Sequence, residues 1–157
     1  RVLVPCELPA IFQAYEHTNR SELRELIAAD LNVSREPIFQ AFAGASQYVG
    51  TAQLKRLRSL RDQRLVQRYL RAVEKGEACG WHTIVYGLIL SVYSLPLRQG
   101  LLNYAQQTIG GFIRSARFTF KIADAQCDQL HENICSPLAQ AVDLIVRQHS
   151  PQTMLLR

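Results

Sequence analysis

An all-α fold is predicted, a single irregular or orthogonal bundle of about seven helices spanning residues 1–157. Three observations predict it. Apolar residues recur at three- and four-residue steps in most segments, whereas Val and Ile are scattered and do not alternate with polar residues as a half-buried strand requires. Prolines, glycines and short polar residues punctuate those segments where helices start and stop. Small residues cluster in two of them, as expected where helices approach closely. With 157 residues, 48% of them hydrophobic and 20% charged, the chain is long enough for one sizeable core.

The elements follow in order. Leu8, Ile11, Phe12 and Tyr15 share one face of a first helix over residues 8–17. Asn19, with Glu22 three positions on, has the pattern of a capping box for a second helix that carries Leu23, Leu26, Ile27 and Leu31. Residues 32–37 are a break, because Glu36 precedes a proline and Pro37 suits a helical first turn. One helix is then expected over 37–60. Its Ala41, Gly44, Ala45 and Ala52 would let another helix approach, and Gly44 and Gly50 point to tight packing or a kink. A helix over 61–75 stops at Gly76. Next come a buried helix over 81–93, a turn at Ser94-Leu95-Pro96, and a long helix over 97–118 with Gly110-Gly111 inside it as a close contact or bend. A helix over 124–134 follows. Ser136 then caps, and Pro137 opens, a last helix that ends near Gln148. Trp81, Tyr86 and Tyr93 are assigned to the core.

No signal peptide is expected, since Pro5 interrupts the first residues and no apolar run follows. The initial Arg1 is compatible with a fragment or a processed product. The most apolar stretch, 83–95, is shorter than the roughly 20 residues that a membrane helix needs. Cys6, Cys79, Cys127 and Cys135 form no CxxC, so free thiols in a reducing cytoplasm are expected.

Charge is concentrated. Between Leu54 and Lys75 eight basic residues face two acidic ones, a net +6 in a chain of net +5. On a helix Arg61, Arg64, Arg68, Arg71 and Lys75 would share a face. The ordinary reading is a solvated amphipathic face. A contact for an acidic protein partner ranks second, and a salt-sensitive nucleic-acid surface third, because Tyr69 is the only aromatic at hand for stacking. Cys127, His131 and Cys135 stand at i, i+4 and i+8, and thiolate and imidazole suit nickel or zinc. The outer pair would be about 12 Å apart on one helix, so only adjacent pairs could chelate together. Buried thiols around a packed histidine are the preferred reading. No nucleophile or carboxylate stands at motif spacing from His17, His82 or His149, and no phosphate-loop, zinc-protease or nucleophile-elbow motif is present. No catalytic residue and no bound cofactor are expected.

Three segments carry a resemblance. His82-Thr83-Ile84-Val85-Tyr86-Gly87 followed by the Leu95-Pro96-Leu97 turn, the helix LLNYAQQTIGGFIRSAR from Leu101 to Arg117, and the small-residue stretch Gly44-Ala45-Ser46-Gln47-Tyr48-Val49-Gly50 resemble, in order and spacing, the core of the urease accessory protein UreF family. Leu8-Pro9 and the helix after it are similar to the family's third element. The family's N-terminal helices have no counterpart, so the chain is expected to begin after them. Its PLGQ loop is replaced at 122–129, where only Gln129 holds its place.

The resemblance implies a non-enzymatic, dimeric, all-α cytoplasmic scaffold. Such a protein joins a UreD/UreH-type accessory protein and the nickel-carrying UreG-type GTPase and promotes nickel loading of apo-urease, the metal being handled by the complex. Expected partner contacts lie on the exposed parts of residues 97–121, with Tyr104, Gln107, Arg114, Arg117 and Lys121, and on Arg157. Arg61, Arg64, Arg68 and Arg71 are the second choice. The rival reading is a basic helical nucleic-acid-binding module.

Overall fold

Among residues 1–149, which the computed structural model describes, every regular element is helical and no strand occurs. A π-helical turn at Leu3–Glu7 leads into α1 (Leu8–Asn19), α2 (Leu23–Arg35), α3 (Pro37–Gln40) and α4 (Ala43–Arg56). A 3₁₀ turn at Leu57–Ser59 precedes α5 (Arg64–Glu74), α6 (His82–Val92), α7 (Leu97–Phe120), α8 (Asp124–Cys135) and α9 (Leu138–His149). The all-α expectation holds, and no described helix is long and apolar enough to cross a membrane. The chain divides into two compact units, Arg1–Leu97 and the residues from Arg98 onward.

In the first unit α6 is apolar on most sides, with Thr83, Ile84, Val85, Gly87, Leu88 and Leu90 buried. Two glycines set how closely its neighbours approach. At Gly87 a Cβ would fall on the carbonyl oxygen of Ile11 and 2.8 Å from the Ala14 Cβ, so α1 crosses α6 backbone to backbone. At Gly50 of α4 a Cβ would fall on the Gly80 carbonyl oxygen and 2.7 Å from the His82 nitrogen. The close approach expected of the small-residue helix is therefore made at Gly50. Ala41, Gly44, Ala45 and Ala52 are exposed instead, and nothing lies near the Gly44 position.

A buried carboxylate joins α2 to the segment between α5 and α6. Asp30, 0% exposed, accepts the backbone N–H groups of Cys79, Gly80 (3.2 Å) and Trp81 (3.0 Å). One turn on, the Ser34 hydroxyl accepts the indole N–H of Trp81 at 2.6 Å and donates to the Cys79 sulfur at 3.1 Å. Left-handed backbone at Gly76 (φ +76°) and Gly80 (φ +72°) lets the segment turn toward the carboxylate, a conformation that costs glycine least. Gly76 thus ends α5 as its position predicts. Burial pushes the Asp30 carboxyl above its ordinary value, and the N–H donors pull it back only in part. The neighbouring Tyr69 phenol, also buried, is pushed up as well, chiefly by burial and then by the Asp30 charge. Its hydroxyl sits near that charge without a partner in hydrogen-bonding geometry.

Several local expectations give way to packing. The capping box at Asn19 does not form. α1 runs through Asn19, Ser21 turns left-handed (φ +58°), the Glu22 carboxylate takes His17 Nδ1 at 2.7 Å, and the Asn19 side chain accepts from Ser91 Oγ at 2.6 Å. The helix expected over 37–60 breaks at Ala41-Phe42, where Phe42 leaves helical angles (φ −129°, ψ 18°). Its ring meets Phe39 edge-on at 5.6 Å, and Phe39 meets Trp81 in the same way at 5.8 Å. α5 starts at Arg64, so Arg61 lies in the preceding turn. Trp81 is in the core and Tyr86 half-buried, but Tyr93, just past the end of α6, is 55% exposed.

In the second unit α7 buries Leu101, Tyr104, Ala105 and Ile109, and α9 buries Leu138, Val142 and Ile145. Arg98 and Asp143 form a two-point ion pair between these helices, at 2.6 and 3.3 Å. α7 is unbroken across Gly110-Gly111. Residues 122–129, placed against the family's loop, are mostly helix, since α8 starts at Asp124 with the Gln126 side-chain oxygen accepting the Ala123 N–H at 3.3 Å. Ser136 keeps helical angles (φ −50°, ψ −45°) and closes α8, rather than capping α9 from an extended conformation.

This packing generates three predictions. Gly50→Ala and Gly87→Ala should each destabilise by about 1–3 kcal/mol or more, because the facing atoms are backbone and cannot move aside. Gly44→Ala, in open helix, should be neutral or stabilise by up to about 1 kcal/mol; urea unfolding monitored by circular dichroism orders the three. Asp30→Ala should cost about 3 kcal/mol or more, since each buried donor left without an acceptor costs roughly 1–3 kcal/mol. The folded protein binds the Asp30 proton more tightly than the unfolded chain does. Its ionisation therefore removes stability as pH rises from the unfolded value through the raised folded one, and urea titrations between about pH 3 and 7 should show this component absent in Asp30→Asn.

Candidate functional site

α7 changes character half-way along. Up to Ile109 it has an inward apolar face, and Tyr104, 6% exposed, belongs to that face. Beyond Gly111 three phenylalanines stand in solvent: Phe112 at 73%, Phe118 at 81% and Phe120 at 73%. Phe112, Ala116 and Phe120 follow one another at i, i+4 and i+8 and so share a face, with Ile113 beside them, while Phe118 lies on another side. Gln107, Arg114, Arg117 and Lys121 are all exposed, and Lys121 ends the helix in left-handed backbone (φ +53°). Sequence reasoning pointed to this helix but not to its phenylalanines. The available signal was that residues 112–120 put aromatic and charged residues on every side and leave no single stripe for a core.

Between α7 and α8 lies a groove of about 560 Å³ lined by Gln107, Arg114, Arg117, Asp124, Cys127 and His131, among others. Arg117 and Asp124 pair across it at 2.6 Å. Gly110 makes room on the α7 side: a Cβ there would sit 3.2 Å from Arg114 Nη1 and 3.6 Å from His131 Nε2. The close contact expected at Gly110 is thus with these two side chains, whereas Gly111 faces nearly open space.

Cys127, His131 and Cys135 all lie on α8. Cys127 and His131 line the groove, and His131 Nε2 is 3.4 Å from the Gln106 carbonyl oxygen and 3.6 Å from Cys135 Sγ. The thiols are half-buried rather than buried, and desolvation pushes that of Cys135 upward. Among the described residues no three His, Cys, Asp or Glu side chains are gathered as a metal ion would require. The other histidines have structural neighbours. His17 is paired with Glu22, His149 Nδ1 is 2.9 Å from the Ile145 carbonyl oxygen, and His82, its pKa lowered by burial, is 3.0 Å from the Gln53 side-chain oxygen and edge-on to Tyr86.

The basic segment forms a narrower strip than expected. Arg64, Arg68 and Arg71 are exposed along α5 and Lys75 at its C-cap, Arg61 stands outside the helix, and Arg58 is paired with Glu74. Tyr69, the one aromatic considered for stacking, is 0% exposed. Arg157 lies outside the described residues.

A UreF family model matches residues 1–117, which takes in α1 to α6 and α7 as far as Arg117. Neither a search of curated proteins nor one of solved structures gives a match. The matched stretch is three quarters of the chain, contains all three segments that carry the sequence resemblance, and folds entirely as helices and turns. The chain belongs to the UreF family of urease accessory proteins.

Proposed function

We propose that this protein is a non-catalytic scaffold for urease maturation. It works in the cytoplasm as a homodimer, binds a UreD/UreH-type accessory protein and a UreG-type GTPase, and promotes transfer of nickel, as cargo, into apo-urease. Membership of an accessory family is the foundation of this reading. The observation that carries it on the molecule is the outer half of α7, where Phe112 and Phe120 share an exposed face with Ala116. Exposed phenyl rings next to arginines are the composition of a protein interface: aromatic anchors give up apolar area to a partner, and a polar rim fixes its orientation. Gln107, Arg114, Arg117 and Lys121 supply such a rim.

The experiment is a pull-down of the full-length protein from a urease-positive lysate, with and without GTP and nickel, the captured chains being identified by mass spectrometry. Recovery of the UreD/UreH-type protein, the GTPase and apo-urease is expected. Phe112→Ala with Phe120→Ala should reduce it about tenfold or more, since truncating an interface anchor costs roughly 2 kcal/mol. The melting temperature should stay near wild type, because both rings are solvent-exposed in the free chain. Recovery of none of these proteins, or undiminished recovery with the double variant, would overturn respectively the scaffold role and the assignment of this face.

A further inference from the structure

The strip of cations on α5 is a second surface that the fold itself does not use. Arg64, Arg68 and Arg71 on α5 and Lys75 at its C-cap follow one another at i, i+4, i+7 and i+11, within a narrow arc about the helix axis and over about 16 Å along it. All are exposed, and none has an ion-pair partner among the described residues; the nearest acidic residue of the helix, Glu74, is taken by Arg58. The opposite side of α5 buries Val66, Tyr69, Leu70 and Ala72, which fixes the strip outward. Like charges three and four residues apart destabilise a helix, so structural demands alone favour mixed signs at these positions.

We infer that this face docks an acidic segment of a protein partner, with carboxylates at helical spacing lying along the strip. The planar guanidinium groups match carboxylates two bonds at a time. The step of about 4.5–6 Å between successive cations is that of acidic residues at i, i+3 and i+4 on a second helix. A nucleic acid fits less well. Tyr69 is buried and the strip presents no aromatic for stacking. The nearby Gln67 amide is occupied, donating to the Leu60 carbonyl at 2.9 Å and reaching that of Leu57 at 3.3 Å. Neither base stacking nor amide readout of a base edge is on offer. This surface lies on the first unit and does not depend on the assignment made for α7.

The test is fluorescence anisotropy with the full-length protein. The probes are a labelled helical peptide carrying Glu at i, i+4, i+7 and i+11, its Glu→Gln counterpart, and single-stranded and duplex RNA. The Glu peptide should bind, the Gln peptide should not, and affinity should fall steeply as salt rises above about 0.1 M, where screening acts within about 10 Å. Arg68→Glu with Arg71→Glu should weaken binding about tenfold or more, whereas Lys55→Glu with Arg56→Glu, the same change in net charge on exposed residues elsewhere, should leave it within about twofold. Arg68→Gln with Arg71→Gln gives the same readout if the charge-reversed chain does not fold. The inference is overturned if the Glu peptide does not bind, if RNA binds more tightly and is lost in the strip variant, or if both double variants lose affinity equally.

Discussion

Three backbone N–H groups, of Cys79, Gly80 and Trp81, converge on the one carboxylate of Asp30, and the first unit is arranged around that convergence. A helix-interior aspartate has no reason of its own to be buried, since desolvation opposes its charge. Burial becomes tolerable when several donors are supplied at once, and a turn of backbone with two left-handed glycines supplies them. The consequence is positional. Once Cys79–Trp81 is held on α2, the indole of Trp81 drops into the core against Phe39, and its N–H is taken by Ser34. α6 then begins with its axis already set.

Close approach does the rest. At Gly87 the backbone of α6 lies on α1, and at Gly50 that of α4 lies on the start of α6, with no room for a methyl group at either point. Both contacts involve the ends of the same polar anchor or the helix it launches, so the carboxylate and the two glycines act together. The anchor decides where α6 starts, and the glycines decide how near its neighbours come. Phe42 shows the strength of this arrangement, because its turn out of helical geometry places another ring on the Phe39–Trp81 cluster and divides an otherwise continuous helical pattern in two.

The surfaces proposed for partners are those that this packing leaves outside. α7 is a core helix up to Ile109 and an exposed, aromatic-rich one after Gly111, and the family match ends within that second half. α5 buries one face so completely that its arginines can only point to solvent. These are two surfaces of different chemistry, an aromatic one with a basic rim and a purely cationic one. Both have the chemistry that the proposed partner contacts require.

The sequence by itself determined the helical class, most element positions and the family, because periodic apolar residues, prolines and Gly76 act locally and need no knowledge of the rest of the chain. It also placed Cys127, His131 and Cys135 on one helix and the arginines of α5 on one face, which are consequences of helix geometry alone. Only the tertiary structure decided which small residue is a contact: Gly50 and Gly44 look alike in sequence, and only Gly50 faces another backbone. It also decided that Glu22 serves His17 rather than a helix cap, that Tyr93 and the three phenylalanines of α7 stay in solvent, and that Tyr104 does not. Each of these depends on what arrives from a distant part of the chain. A residue's own chemistry sets what it can bind; the neighbour that folding delivers sets what it does bind.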